Sequence, residues 1–465
     1  MAPSPQSLPD LPATELLALY RRRELSPLEV TRAVLARIER CEPRLHATYA
    51  LDADAALAMA AESEARWSRG EARALEGVPV TLKENIATRG VPVPVGTAAT
   101  PLVPAAEDAP PAARLREAGA VFIAKTTMPD YGMLSSGLSS FHPLTRNPWD
   151  LSQNPGGSSA GAGAAAAAGY GPLHIGTDIG GSIRLPAAWC GVVGLKPSHG
   201  RVPIKPAYAG RVAGPLTRNV ADAALMMSVL SQPDWRDGTS LPPQAIDWGR
   251  LDLDLKGLRL GLLLDAGWGM PPDAQVRRTI EAAAKAFAAA GAEVEALPPF
   301  CTREMAEGMD RFWRTRSWLD ISALPAERAA RVLPFIVDWA RGGEGQSGAA
   351  VFHGYSQMQA LREASLAACQ PYDFVLSPVS PVLSFPAEWP MPSNDAARSL
   401  EHIGFTLPYN MSEQPALAIN AGYSSAGFPI GLQIAGRRFD DLGVLRLAHA
   451  WERLRGPQRP WPVLP

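Results

Sequence analysis

Lysine is nearly missing from this 465-residue sequence: of 44 basic residues only Lys83, Lys125, Lys196, Lys205, Lys256 and Lys285 are not arginine. A guanidinium keeps its proton at any accessible pH and an ammonium can release one, so each lysine invites a question. Cysteine is scarce too. Cys41, Cys190, Cys301 and Cys369 are scattered and form no CxxC pair, which argues against a disulfide framework and for a reducing, cytoplasmic setting. Long apolar runs are missing: no uncharged window reaches the ~20 residues of a membrane span, and the alanine-rich residues 160–171 are too few and too small. The N-terminus, MAPSPQSLPDLPATELL, has no basic segment followed by an apolar one, so no secretory leader is expected. Excess charge of either sign is missing as well. A net charge of -2 gives no electrostatic reason to expect nucleic acid or a membrane as partner.

What the sequence does have is glycine and serine in one place. Residues 154–194, NPGGSSAGAGAAAAAGYGPLHIGTDIGGSIRLPAAWCGVVG, hold eleven of the 41 glycines. Ser158 and Ser182 each follow a glycine pair, and Ser159 adjoins the first. Two turns, residues 156–161 and 176–182, flank a helix-prone alanine segment (162–168) and an apolar strand (173–175). Glycine at this density permits positive φ and close backbone approach, the layout of a site built from main-chain amides with hydroxyls among them. No Gly-Lys-Ser/Thr follows, so phosphate binding is not expected.

Around this centre the pattern alternates. Residues 12–65 carry helical periodicity, with Ser26-Pro27 as a cap and Pro27 in the first turn. Val78, Val80 and Leu82 alternate with Pro79, Thr81 and Lys83, which predicts a short strand ending in a lysine. A helix over 111–118, a strand over 120–125 and a polar loop over 126–153 follow. After the centre come a helix over 219–230 capped by Asn219, a strand over 258–264 and a helix over 273–290. Residues 298–365 are helical and rich in tryptophan and phenylalanine. Strands over 372–376, 415–421 and 430–435 and a helix over 442–454 complete the chain. Strands alternating with helices predict an α/β fold with both sheet faces covered, and no stretch has a linker's composition.

A hydroxyl is a poor nucleophile until a base takes its proton, and the oxyanion that follows needs preorganised donors. Ile179-Gly180-Gly181-Ser182 offers consecutive N–H groups around a serine. A lone Gly-Gly-Ser is more simply a tight turn with a capping serine; two such clusters, one helix and one strand apart, weigh toward a site. None of the seven histidines has a positioning context for a base: His174 reads as a packed strand residue and His199 as a loop donor. Lys83 is the better candidate, since burial beside hydroxyls without a carboxylate would lower its pKa. The plain alternative is a solvated lysine at a strand end.

Gly77-Val-Pro-Val-Thr-Leu-Lys83-Glu-Asn-Ile, Gly156-Gly-Ser158-Ser-Ala-Gly and Gly176-Thr-Asp-Ile-Gly-Gly-Ser182-Ile-Arg-Leu-Pro-Ala together resemble the amidase signature family. The likeness extends to residues 120–129, 146–150, 190–197 and 427–436, and spans about 10–455, weakest over 230–365. It implies one domain, 1–465, with the amidase signature fold: a large, mostly parallel or mixed twisted sheet covered by helices on both faces, and a variable helical substrate-side segment at about 298–365. It also implies a Ser-cisSer-Lys triad. Ser182 would attack the carbonyl, Ser158, after a cis Gly157–Ser158 peptide, would bridge to Lys83, and Lys83 would be the neutral base in a pocket free of imidazole. The N–H groups of Ile179, Gly180, Gly181 and Ser182 would hold the oxyanion, with Asp178 and Arg184 pinning that loop.

The expected activity is hydrolysis of small or aryl-bearing carboxamides, as by an aryl acylamidase, with ester or carbamate (urethane) hydrolysis open, no cofactor and no metal. The expected partner is the small-molecule substrate alone, on a monomer or homodimer. Tyr131, Gly132, Met133 and Glu413 are the substrate-side candidates. Three positions depart from the family pattern: Ala160 and Glu413 stand where glycine is usual, and Glu84 where aspartate is. The alternatives are an amidotransferase A-type subunit in a tRNA-dependent complex, or an α/β-hydrolase-type esterase using Ser159 of Gly157-Ser-Ser-Ala-Gly161 with His449 as base.

Overall fold

The capping signals act where the sequence places them. Ser26 Oγ accepts from Glu29 N at 3.2 Å and the Glu29 carboxylate accepts from Ser26 N at 2.9 Å, a capping box that opens the Pro27–Leu45 helix. Asn219 Oδ1 accepts from Asp222 N at 2.8 Å at the head of Val220–Leu230. The computed structural model describes residues 7–464.

Within those residues eleven strands form one sheet: β1 (Thr48–Tyr49), β2 (Pro79–Lys83), β3 (Val121–Thr126), β4 (Leu173–Asp178), β5 (Val193–Lys196), β6 (Val212–Thr217), β7 (Arg259–Leu262), β8 (Glu293–Ala296), β9 (Phe374–Pro378), β10 (Ala416–Tyr423) and β11 (Pro429–Gly436). Their order is β1-β3-β2-β4-β6-β5-β10-β11-β9-β7-β8. Every residue of β2, β4, β6, β9 and β11 is buried, so helices cover both faces there. The sheet is mixed, and parallel pairing is not the majority: β2 runs parallel to β3 and β4, and β7 to β8 and β9, while the centre from β4 to β9 is antiparallel.

The sequence reading does not predict β6, which lies between β4 and β5. Its sequence, Val-Ala-Gly-Pro-Leu-Thr, carries no strand signal, since proline lacks a ladder donor. Gly214 explains its place: a Cβ there would sit 2.2 Å from Leu195 O, so only a bare backbone fits against β5. The aromatic segment forms the helices Arg303–Ser322, Pro334–Arg341 and Gly348–Cys369, a helical cover whose first two helices contribute side chains to a cavity beside the sheet. Among the described residues no helix is long and apolar enough to cross a membrane, and all four cysteines are buried and unpaired.

Candidate active site

Lys83 ends β2 with its side chain fully enclosed. Its Nζ donates to Ser158 Oγ at 2.7 Å and to Ser159 Oγ at 3.1 Å, and among the described residues no carboxylate pairs with it. Burial pushes the ammonium well below its ordinary pKa, and the charge of Arg211 lowers it further against the pull of Asp178 and Glu84. Lys125 and Lys196 are also buried and lowered to about 7, yet their Nζ groups go to Ile86 O with Thr88 Oγ1 and to Pro197 O. Lys83 alone among these three faces serine hydroxyls.

Ser158 and Ser159 precede the Ala160–Ala168 helix, whose residues are all alanine or glycine and all buried. This smallness is steric: a Cβ on Gly161 would meet Ala47 O at 2.5 Å and one on Gly163 would meet Pro186 Cβ at 2.8 Å. Ala160, one of the departures from the family pattern, is fully buried as the first residue of this helix. The Gly157–Ser158 peptide is not cis, contrary to expectation; the turn is made by Gly156 and Gly157 at φ +80° and +60°. Ser158 N then donates to Ser182 Oγ at 3.1 Å, and no bond joins the two hydroxyls directly.

Ser182 lies between β4 and the Arg184–Cys190 helix. Asp178 and Arg184, both fully buried, lock this loop: Asp178 accepts from Gly181 N at 2.8 Å, Ile183 N at 3.0 Å and Nε and Nη2 of Arg184. Burial would raise the Asp178 carboxyl, but the Arg184 charge and these bonds hold it well below the usual carboxylate range. Asn410, Thr406 and Gln433 anchor the rest of the arginine. One expected donor is corrected here: the Gly181 N–H is committed to Asp178, leaving those of Ile179, Gly180 and Ser182 without an acceptor among the described residues.

Ser158 and Ser182 open into a cavity of about 360 Å³. Tyr131, Gly132 and Met133 line it, with Met391, Leu400, Ile403 and Trp313. Trp313 of the cover approaches Gly180, whose added Cβ would lie 3.5 Å from the indole. Glu413 does not line it. Its carboxylate is held by Arg362 at 2.9 Å and Arg438 at 2.6 Å, turned away from the cavity, with a backbone φ of +65° that accounts for glycine being usual there. Nor is the cavity free of imidazole. His402 lies in its wall, but Nε2 meets Ser135 Oγ at 2.6 Å, far from serving the site serines, and burial drops its pKa to about 3. His174 is packed in β4 between Thr81 Oγ1 and Gly171 O.

A family model described as Amidase matches residues 29–445. The A-type subunit of the glutamyl-tRNA(Gln) amidotransferase of Geobacter metallireducens is 34% identical over 96% of this chain and 97% of its own. A bacterial aryl acylamidase of the amidase signature enzymes superposes with a TM-score of 0.88 at 29% identity, over 96% of both chains. The A-type subunit of the same amidotransferase of Thermotoga maritima does so with a TM-score of 0.79 at 25% identity, over 98% of both. This chain belongs to the amidase signature family.

As an amidase signature enzyme it has no place for the α/β-hydrolase alternative: Ser159 Oγ is spent on Lys83 and on the main chain of Thr177, and His449 is not among the cavity residues. Glu84, at the family's usual aspartate, accepts from Gly96 N and pairs with His142, bracing the loop beside Lys83. Sequence reading missed Tyr208, Arg211, Arg316 and His402, which reach the cavity from distant segments. No local pattern marks them; only the assembled sheet brings them together.

Proposed function

We propose that this protein hydrolyses carboxamide C–N bonds through an acyl-enzyme on Ser182. The observation that carries the reading is Lys83: buried, without a carboxylate partner among the described residues, and 2.7 Å from the hydroxyl of Ser158, whose own amide holds Ser182 Oγ. A neutral amine takes the Ser158 proton as the Ser158 hydroxyl, turned toward Ser182, takes that of the attacking oxygen. The C–O bond forms, and the amides of Ile179, Gly180 and Ser182 face the resulting oxyanion. On collapse the C–N bond breaks and the proton held by Lys83 returns through Ser158 to the leaving amine. Water then releases the acyl group by the same relay in reverse order.

The apolar wall of Trp313, Met133, Leu400 and Ile403 supports an aryl or alkyl group on the substrate, and the likeness to an aryl acylamidase points the same way. Esters and carbamates fit the same chemistry. The four free thiols support a reducing, cytoplasmic setting.

A second reading has the sequence comparisons in its favour: relatives at 34–36% identity are amidotransferase A-type subunits. On it, the same serine would release ammonia for a tRNA-bound acceptor inside a complex. The two separate on the purified protein alone, screened against anilides, primary amides, esters and carbamates. Turnover of anilides that is abolished in Ser182→Ala supports the first reading. Silence alone, with activity restored by co-purified proteins of such a complex and an acceptor tRNA, supports the second. Activity that survives Ser182→Ala but not Ser159→Ala would overturn the assignment of the nucleophile.

A further inference from the structure

Arg211 reaches the catalytic cavity and among the described residues makes no ion pair, the Asp237 carboxylate acting on it only from beyond salt-bridge distance. Its neighbour Val212 opens β6 opposite Asp178 of β4, so Arg211 stands beside Ile179, where the loop facing the oxyanion begins. Nη1 donates to Pro206 O at 2.6 Å, and among the described residues no carboxylate pairs with the guanidinium. The more deeply enclosed arginines behave differently. Arg184 is paired with Asp178, Arg201 with Asp441 and Arg218 with Asp10. A guanidinium partly withdrawn from water normally has such a partner, because desolvation without one is costly.

The surroundings sharpen the exception. Arg316 comes from the cover to the exposed rim of the same cavity, its guanidinium 4.2 Å from the centre of the Tyr208 ring, and among the described residues it too has no ion pair. Asp320, one turn further on, lines the rim without pairing to either arginine. Burial and the charge of Arg316 pull Arg211 down to about 10, and Arg211 in turn helps keep Lys83 neutral. The indole N–H of Trp313, in the same wall, has no acceptor among the described residues.

We propose that Arg211, assisted at the rim by Arg316, binds a carboxylate of the substrate, so that the amide cleaved here carries an anionic group close to its scissile carbonyl. This rests on the amide-hydrolase reading and narrows its substrate class. The missing counter-ion is then supplied by the substrate, and an anion beside Ile179 is near the scissile bond without occupying the sites of the oxyanion donors.

The test uses two amides of one shape, 4-anilino-4-oxobutanoate and its neutral isostere 4-anilino-4-oxobutanamide. Hydrogen bonds to a charged group predict that wild-type kcat/KM favours the carboxylate by about 10- to 100-fold. Arg211→Gln should bring that ratio near unity, mainly through KM, and Arg316→Gln should lower it by a smaller factor. With the neutral amide, Arg211→Gln should move the acidic limb of the pH profile upward, because the charge that lowers Lys83 is gone; the carboxylate preference and its loss through KM are the readout that a merely structural arginine would not move. If the neutral amide is cleaved as well as the carboxylate, the proposal falls while amide hydrolysis stands. If neither is cleaved, binding of both to the wild-type protein by calorimetry decides. A carboxylate preference lost in Arg211→Gln supports the subsite though the hydrolase reading fails, and equal binding, or none, overturns it.

Discussion

A Cβ added at Gly157 would come within 2.4 Å of Pro186, and one at Gly156 within 1.8 Å of the Trp189 ring, whereas at Gly348, at the head of the last cover helix, it would meet nothing within 4 Å. The floor, residues 154–194, and the cover, residues 303–369, form one cavity by opposite means. In the floor nearly every side chain is buried, the backbone is the working surface, and a locked Asp178–Arg184 pair fixes it. In the cover the helices are half exposed, and only a few side chains such as Trp313 reach inward. Geometry that must hold reacting atoms within fractions of an ångström belongs in a close-packed interior. A surface that chooses among substrates can change without touching that geometry.

The comparison breaks most visibly at Lys83. Replacing it by the similarly long, apolar methionine should cut anilide turnover by about 10³-fold or more, the range of a lost acid–base catalyst, while activated esters, whose leaving groups need no proton, lose less. The same change should raise Tm, since it removes a desolvated amine from the interior. The sign with pH follows from the lowered pKa. Between its folded and unfolded pKa values Lys83 binds more protons when unfolded, so wild-type stability rises with pH across that window. The gain in Tm of Lys83→Met is therefore larger at pH 7 than at pH 10, and a gain independent of pH would mean that Lys83 is charged in the folded protein.

A second contrast is steric. Gly157→Ala combines a φ of +60° with the Pro186 collision and should destabilise by about 2–4 kcal/mol, from left-handed strain and overpacking together. Gly348→Ala, open on all sides, should lie within about 0.5 kcal/mol of wild type or slightly above it. Urea denaturation of both measures the difference, and similar values would show that the floor relaxes as readily as the cover.

Much of this division is legible in the sequence. Glycine pairs before Ser158 and Ser182, and an apolar strand running into Lys83, are local patterns, and local patterns survive translation into structure. The cavity's other wall is not local. Arg211 sits before a strand disguised by Gly214-Pro215, and His402 lies in a short helical turn with no strong periodicity; both acquire meaning only when β6 docks between β4 and β5 and residues 401–411 close over the loop. Glu413 misleads for the converse reason. Its sequence neighbours belong to the site, but a left-handed residue turns its side chain outward to two arginines.

Trp313→Ala sharpens the comparison from the cover's side. The indole stands over Gly180, so its loss should lower kcat/KM for anilides by about 10-fold while small aliphatic amides change little, as expected when an apolar pocket wall is removed. An equal fall for both substrates, carried by kcat, would make Trp313 part of the machinery that holds the oxyanion loop.

The smallest effect is expected at Glu413→Gly, although the position adjoins the site in sequence. Glycine removes a left-handed strain of about 1 kcal/mol, and the ion pairs given up, partly exposed on Arg362 and Arg438, are together worth a similar amount. The terms oppose, so Tm should move by only a degree or two, and kcat/KM for anilides should stay within about twofold because no atom of Glu413 lines the cavity. A tenfold change would mean that the arginine clamp reaches the site through Asn410, three residues earlier, whose side chain bonds both Asp178 and Arg184. In that case the boundary between tolerant cover and intolerant floor lies between Asn410 and Arg362, and not at the cavity wall.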